Sequence, residues 1–507
     1  MGNTEGAVEL SVNAILATID DFLKESGTRT HRALAGLEAR ATNVELFSLL
    51  EDITRAEPVA FVRELTTSSR IDATKKGRVE RLYAALLELA TQARLAPHDD
   101  AITALLSSKT IASAGRTWTL AESLSDTWTL STPEARALVS NDRSAALWDE
   151  QAPFARRLDA LSEAAAAFAQ PSSRALVEAM QRRTFEQWEP KAEALLSHSD
   201  DPSRDLSAFA LKRLDQQLKP TNAKSTDLSR ALAAPWFFEV LRREDLSHAV
   251  TRTLTELGFH PNAFGRILID TDSQGRLPGA HLVRVEVPDQ LRLIFTAAPG
   301  FEGYAGWLGA WGEAQLLAAT PRTLPFIDRV IGDGALTLAV RRLFESLLLD
   351  EGWLKRHVRA TSAQAREVAR VFAWRQVMAL RAEAALLPVQ REGLERGAVR
   401  GLADAYSTAM ERAHVVQPER GRFLLDTAPL TATMMSLDAW ALEAHLASLI
   451  RERFNEDWWR NPAAGRFLND LAMRGSTEDA TTVATSLGGP PLELTNASRR
   501  RVVVMGA

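Results

Sequence analysis

Cysteine is absent from this chain of 507 residues. That excludes disulfides, thiolate metal ligands and a cysteine nucleophile, and it fits a reducing compartment. Tyrosine is scarce, with three residues against twelve Trp. Histidine is thin and scattered: of nine, no two lie within five residues of each other, so no helix presents a His pair to a metal. Neither sign of charge dominates. The formal net charge is −5, and nothing in it favours nucleic acid or an anionic membrane as a partner. No stretch approaches 18 apolar residues without a charge, so no transmembrane helix is predicted. The N-terminal segment has no basic region followed by an apolar run, so no secretory signal is visible. Gly at position 6 breaks the myristoylation pattern that Gly2 begins. The phosphate-binding loop G-x-x-x-x-G-K-[ST] and the nucleophile elbow G-x-S-x-G are missing too. These absences leave a soluble cytoplasmic protein as the expectation, with no nucleic acid, no membrane and no cofactor implied.

What is present is an ordinary globular balance, 46% hydrophobic and 25% charged, long enough to bury a large core. Most of the chain reads as amphipathic helix. In residues 76–95, Val79, Leu82, Leu86, Leu87, Leu89 and Ala90 form one stripe at helical spacing. Thr132-Pro133-Glu134 is a helix start. Residues 155–198 predict helices broken at Pro171 and resumed at Ser172. The polar, Pro-bearing segments 197–204 and 219–229 read as loops. They divide a helical N-terminal region, 1–230, from a second region, 231–487. Strands are predicted only within 264–296, where "FGRILIDTD", "HLVRVEV" and "LRLIF" alternate or cluster apolar residues and Ser273-Gln274-Gly275 is a turn. The tail 488–507 reads as a loop with a candidate terminal strand, and Arg499-Arg500-Arg501 as its solvated end. "TWTL" occurs at 117–120 and 127–130, too short a period for a repeat architecture.

The most informative stretch is residues 303–315, "GYAGWLGAWGEAQ". It follows a segment that contains "RLPGA" and two short strands. It precedes "LPFIDRVIGDGALTLAVRRLFES" and, further on, "LDAWALEAHLASLIRERFNEDWWRNPAAG". In this order these segments resemble the oligopeptidase F and thimet oligopeptidase superfamily of zinc metallopeptidases. In that superfamily a helix carries H-E-x-x-H: two His bind zinc from one face, and the Glu is the general base. The resemblance implies a mainly α fold, a two-lobed helical body with a small β-sheet beside a central groove.

The departures fall on the chemistry. The five motif positions are occupied by Gly309, Ala310, Trp311, Gly312 and Glu313. The resemblance places the third ligand, a Glu, at Leu338, and transition-state Tyr residues at Ala432 and Ser436. An Arg of the family is replaced by Asp438. No catalytic residue and no metal site is therefore expected, and Gly309, Ala310, Glu313 and Leu338 are vestigial positions. Glu313 inside a cavity needs a cation or water to offset its desolvation; Arg341 and Arg342 are the candidates, and an open groove facing water is the alternative. Trp307 and Trp311 lie four apart on one helix face, suited either to a peptide or to a filled core. In active relatives a strand near "PGA" pairs with the substrate backbone, a mode that needs no zinc. The candidate peptide groove is therefore Gly279, Ala280, His281, Val283 and Val285 with Trp307 and Trp311. Three functions remain open: a non-hydrolytic protein that binds a peptide or protein partner, an active paralogous peptidase among them; a hydrolase with a rebuilt site; and a structural interaction module with a filled cleft.

Overall fold

The apolar stripe at 76–95 becomes the middle of a single helix of 36 residues. The computed structural model describes residues 2–69, 71–270, 279–397, 399, 401–427 and 433–506. The N-terminal part includes helix α1 (Gly2–Leu34), helix α2 (Ala73–Ser108) and a hairpin of β1 (Thr110–Ser113) with β2 (Arg116–Thr119), with shorter helices between α1 and α2. Then come α3 (Pro133–Asp149), α4 (Ala152–Ala167), α5 (Ser173–Gln181) and α6 (Phe185–Leu214). Thr132 caps α3 and Ser172 caps α5, each accepting from a backbone N–H three residues on, as the sequence predicts.

Two expectations fail here. Residues 197–204 are not a loop but lie inside α6, although Pro202 interrupts its hydrogen-bond ladder. While Ser197 is exposed, Ser199 and Ser203 of this segment, with Ser207 beyond it, recur every four positions and are buried. They let α6 approach the later helix Ser362–Arg396 closely. Trp374 donates to Ser207 Oγ at 3.0 Å, and buried Arg381 donates to the Leu196 carbonyl at 2.8 Å and to Ser199 Oγ at 2.7 Å. The second failure is the hairpin, since strands were expected only at 264–296. Ala114 and Gly115, both at positive φ, form its two-residue turn. The first "TWTL" thus straddles a strand and a helix cap, while the second is a 3₁₀ turn.

The three-stranded sheet comprises β3 (Ile267–Asp270), β4 (Gly279–Glu286) and β5 (Gln290–Thr296) in the order β3-β5-β4. β3 runs parallel to β5 and β4 antiparallel to it, with Leu282 opposite Leu293. The predicted turn at 273–275 and residues 276–278 of the "RLPGA" segment lie outside the described residues. One face of the sheet carries Val283, Val285 and Ile294 against Leu34 of α1. Gly27 lets α1 settle onto the strand backbone, since a Cβ there would sit 2.7 Å from the Arg284 carbonyl. The other face packs on α7 (Gly300–Ala318).

After α7 come α8 (Phe326–Val330), α9 (Ala335–Glu345), α10 (Ser362–Arg396), α11 (Leu402–His414), α12 (Thr433–Phe454) and α13 (Leu494–Met505). The tail is therefore a helix, not a loop with a strand. Its pattern Leu494, Ala497, Ser498, Arg501, Val502, Met505 is buried at helical spacing. Arg501, expected in solvent, is 1% exposed and donates to Glu443 at 2.7 Å. One apolar core runs without a break from Ile15 to Met505, across residue 230. Buried ion pairs also cross that position: Arg81 with Asp328, and Arg183 with Asp333 and Asp438. No helix among the described residues is long and apolar enough to cross a membrane.

α7 is buried along nearly its whole length. Four of its glycines admit neighbours, and at Gly312 the gap is filled by the Phe344 ring of α9: a Cβ would lie 2.4 Å from that ring. Phe344 is itself 1% exposed and meets Trp458 edge-on at 6.2 Å, so it has little freedom to retreat. Gly312→Ala is expected to destabilise the protein by up to about 2 kcal/mol, because an overpacking cost of about 1–3 kcal/mol outweighs the gain in helix propensity of about 1 kcal/mol. Urea unfolding of the variant against the parent measures the difference.

Candidate functional site: an ion-pair lattice at the metal-ligand positions

α7 and α9 bring together the positions at which the sequence resemblance implies metal ligands. A Cβ on Gly309 would lie 2.9 Å from Arg341 Cγ and 2.6 Å from Glu345 Oε1, so the two helices are in direct contact there. The volume that a larger side chain at position 309 would need is thus taken by α9. Ala310 is fully buried. Leu338 is half-buried and packs on the core one turn before Arg341.

Glu313 is 8% exposed, and both of its oxygens are occupied. Oε1 accepts from Arg284 Nη2 at 2.7 Å, and Oε2 accepts from Arg341 Nη1 at 3.2 Å. Arg341 in turn donates from Nε to Glu345 Oε1 at 3.2 Å. Two guanidiniums and two carboxylates alternate, and the charges cancel. Burial opposes the Arg341 charge, but Glu345 and Glu313 outweigh it and hold its pKa above the ordinary value. Burial pushes the Glu345 carboxyl up, against the pull of Arg341 and Arg342. The expected cation for Glu313 is therefore Arg341, joined by Arg284, which sequence reasoning missed. Arg342 turns elsewhere: it donates to Ser436 Oγ at 2.6 Å, lies 4.0 Å over the Trp440 ring and reaches Glu383, which also accepts from Ser436 at 2.6 Å. Ser436, at an expected Tyr position, is thus tied into an internal network. Ala432 lies outside the described residues.

A zinc ion does not fit this donor set. Gly309 and Ala310 offer no ligand, Leu338 offers hydrocarbon, and the one carboxylate is saturated by two cations. Among the described residues no group of three or more His, Asp or Glu side chains is placed to hold a metal ion.

The candidate peptide groove is only partly available. Trp307 and Trp311 are 3% and 2% exposed, so neither ring is presented to a ligand. Trp307 stacks on Phe295 with ring centres 3.6 Å apart and meets Trp311 edge-on at 5.8 Å. They fill the core between α7 and the sheet. Val283 and Val285 are buried under α1. Gly279, Ala280 and His281 are half-buried. β4 is an edge of its sheet, with no strand beyond it among the described residues.

Asp438, where the resemblance expects Arg, shares one guanidinium with Asp333. Arg183 Nη2 donates to Asp333 at 2.5 Å, and Arg183 Nε donates to Asp438. Two carboxylates face one cation in a buried site. Burial first, and then Asp333, raise the Asp438 pKa from 3.8 to about 6 despite Arg183.

By sequence the chain has no match: no protein-family model matches it and no curated protein does. By structure it is similar to PZ peptidase A with an inhibitor, at TM-score 0.68 and 13% identity, covering 99% of this chain and 97% of that one. A putative oligoendopeptidase F from Bacillus anthracis str. Ames gives TM-score 0.63 at 10% identity, covering 96% and 89%. An M32 carboxypeptidase from Deinococcus radiodurans R1 gives 0.62 at 14%, covering 98% and 100%. The chain has the mainly helical fold of these peptidases.

The raised pKa of Asp438 carries a sign. The folded state holds this proton more tightly than the unfolded chain, so its contribution to stability is complete below pH 3.8 and is lost as pH rises through about 6. The expected loss is up to about 3 kcal/mol. Urea unfolding measured from roughly pH 4 to pH 7 checks it. The parent is expected to lose stability relative to Asp438→Asn over that window; parallel curves would show a carboxylate ionised throughout.

Proposed function

We propose that this chain is a pseudopeptidase: a non-hydrolytic protein that binds a peptide or a protein partner on a zinc-peptidase fold. One observation carries the reading. The guanidinium of Arg341 occupies the carboxylate of Glu313, the only ionisable side chain left at the ligand positions. Zinc-water hydrolysis needs three ligands, an open coordination position and a base. Here Gly309, Ala310 and Leu338 supply none of these. The edge strand β4, at Gly279, Ala280 and His281, supports recognition by main-chain pairing, which needs no metal. A partner that is itself an active paralogous peptidase fits the same reading.

A second reading has its own support. Burial of Trp307 and Trp311 favours a structural interaction module that works through its outer surface. The two differ in where a partner protects the chain.

Purified protein is expected to hold no stoichiometric zinc and to show no chelator-sensitive cleavage of a peptide library. Zinc together with cleavage that disappears in Glu313→Ala would overturn the reading. Amide exchange with bound peptides is expected to protect 279–285. Protection confined to other surfaces would reject the groove and favour the interaction module.

A further inference from the structure

α12 and α13 leave a slot of about 350 Å³ between them, reached past Pro490 and Pro491. α12 turns His445 and Ser448 into it, and α13 turns Asn496, Arg499 and Arg500. The slot is separate from the positions on α7 and α9, and nothing in the peptidase resemblance accounts for it.

Arg500 is the telling side chain. Its Nη1 is buried and makes no hydrogen bond. The carboxylate beside it, Glu443, has one oxygen 4.0 Å away, while its other oxygen accepts from Arg501 at 2.7 Å. Arg501 is further fixed by Gln376 at 2.8 Å. Glu443 Oε1 is itself buried without a hydrogen bond, so this carboxylate serves Arg501 closely and Arg500 only as a long ion pair. A buried donor left unpaired costs about 1–3 kcal/mol, and more when charged. Burial and nearby Arg451 lower the Arg500 pKa to about 10, against the pull of Glu443, so the group stays charged at neutral pH.

A second buried atom without a partner is His445 Nε2. Its ring is pressed against Gly489, where a Cβ would come within 2.6 Å of it. A neutral imidazole offers one N–H donor. Arg499 adds an exposed positive charge, and Glu493 is the only acid in the lining. The apolar part of the lining comes from Pro490, Pro491, Leu492, Ala441 and Ala444.

We propose that this slot is a binding site for a small organic anion. Its carboxylate or phosphate group sits on Arg500 and Arg499, with Ser448, Asn496 and His445 completing the hydrogen bonds, and its apolar part lies on the two prolines. Guanidinium pairs suit either oxyanion, because their planar fork matches two acceptor oxygens at once. The volume suits a small ligand rather than a macromolecular segment.

The full-length protein, titrated calorimetrically with inorganic phosphate, phenyl phosphate and phenylacetate at low ionic strength, tests this. Saturable one-to-one binding is expected, with at least one aromatic probe tighter than inorganic phosphate. Preference for phenyl phosphate assigns a phosphate ester; preference for phenylacetate assigns a carboxylate. Arg500→Gln is expected to weaken binding at least tenfold and Arg499→Gln several-fold. Ala444→Leu fills the slot without touching a charge and is expected to abolish binding. If Arg500→Gln does not fold, Ala444→Leu and amide-exchange protection of 489–500 on probe addition decide. The proposal is overturned if no probe binds saturably, or if binding is indifferent to these substitutions.

Discussion

A carboxylate carried into a protein interior must meet a cation, and Glu313 is where this molecule satisfies that demand. Left alone, a buried carboxylate costs several kcal/mol. The sequence resemblance implies a metal ligand at this position, with a divalent ion as the local positive charge. Here Arg284 and Arg341 supply it from a strand and a facing helix. The substitution is chemical as well as steric. Gly309 leaves room that Arg341 and Glu345 fill.

The surrounding structure follows from that exchange. A helix buried along nearly its whole length tolerates little polarity, and α7 carries Gly, Ala, Leu and Trp in place of it. The two indoles fill the layer between α7 and the sheet. The networks of Arg342 with Ser436 and Glu383, and of Arg183 with Asp333 and Asp438, knit the neighbouring positions into internal pairs. Each takes side chains from distant parts of the sequence. The result is a polar seam between packed helices.

The helical body, the small sheet and the contact of α7 with α9 were legible because each rests on local periodicity or on ordered segments of a familiar kind. Arg341 was visible as a cation one turn from Leu338. Arg284 was not, because strand pairing, not spacing, carries it to Glu313. The direction of Trp307 and Trp311 was ambiguous for a similar reason: a helix buried on all sides has no polar face to orient it. Two misreadings share another cause. In α6, Ser199 and Ser203 look like loop residues, yet with Ser207 they are small buried residues facing a neighbouring helix. In α13, three consecutive arginines look solvated, yet Arg501 is held by Glu443 and Gln376. Polarity read along a sequence does not reveal which polar group finds a partner. The hairpin at 110–119 escaped because its strands are four residues each.

The central claim is that Arg341 stands in the place of the metal. Zinc titration of a reconstructed chain tests it most directly: Gly309→His, Ala310→Glu, Glu313→His and Leu338→Glu together, with and without Arg341→Ala. The account predicts weak binding while Arg341 remains, and an affinity at least roughly tenfold higher once it is removed, a difference of about 1.4 kcal/mol. Equal affinity in the two chains would contradict it, since the guanidinium would then occupy neither the space nor the charge of the ion.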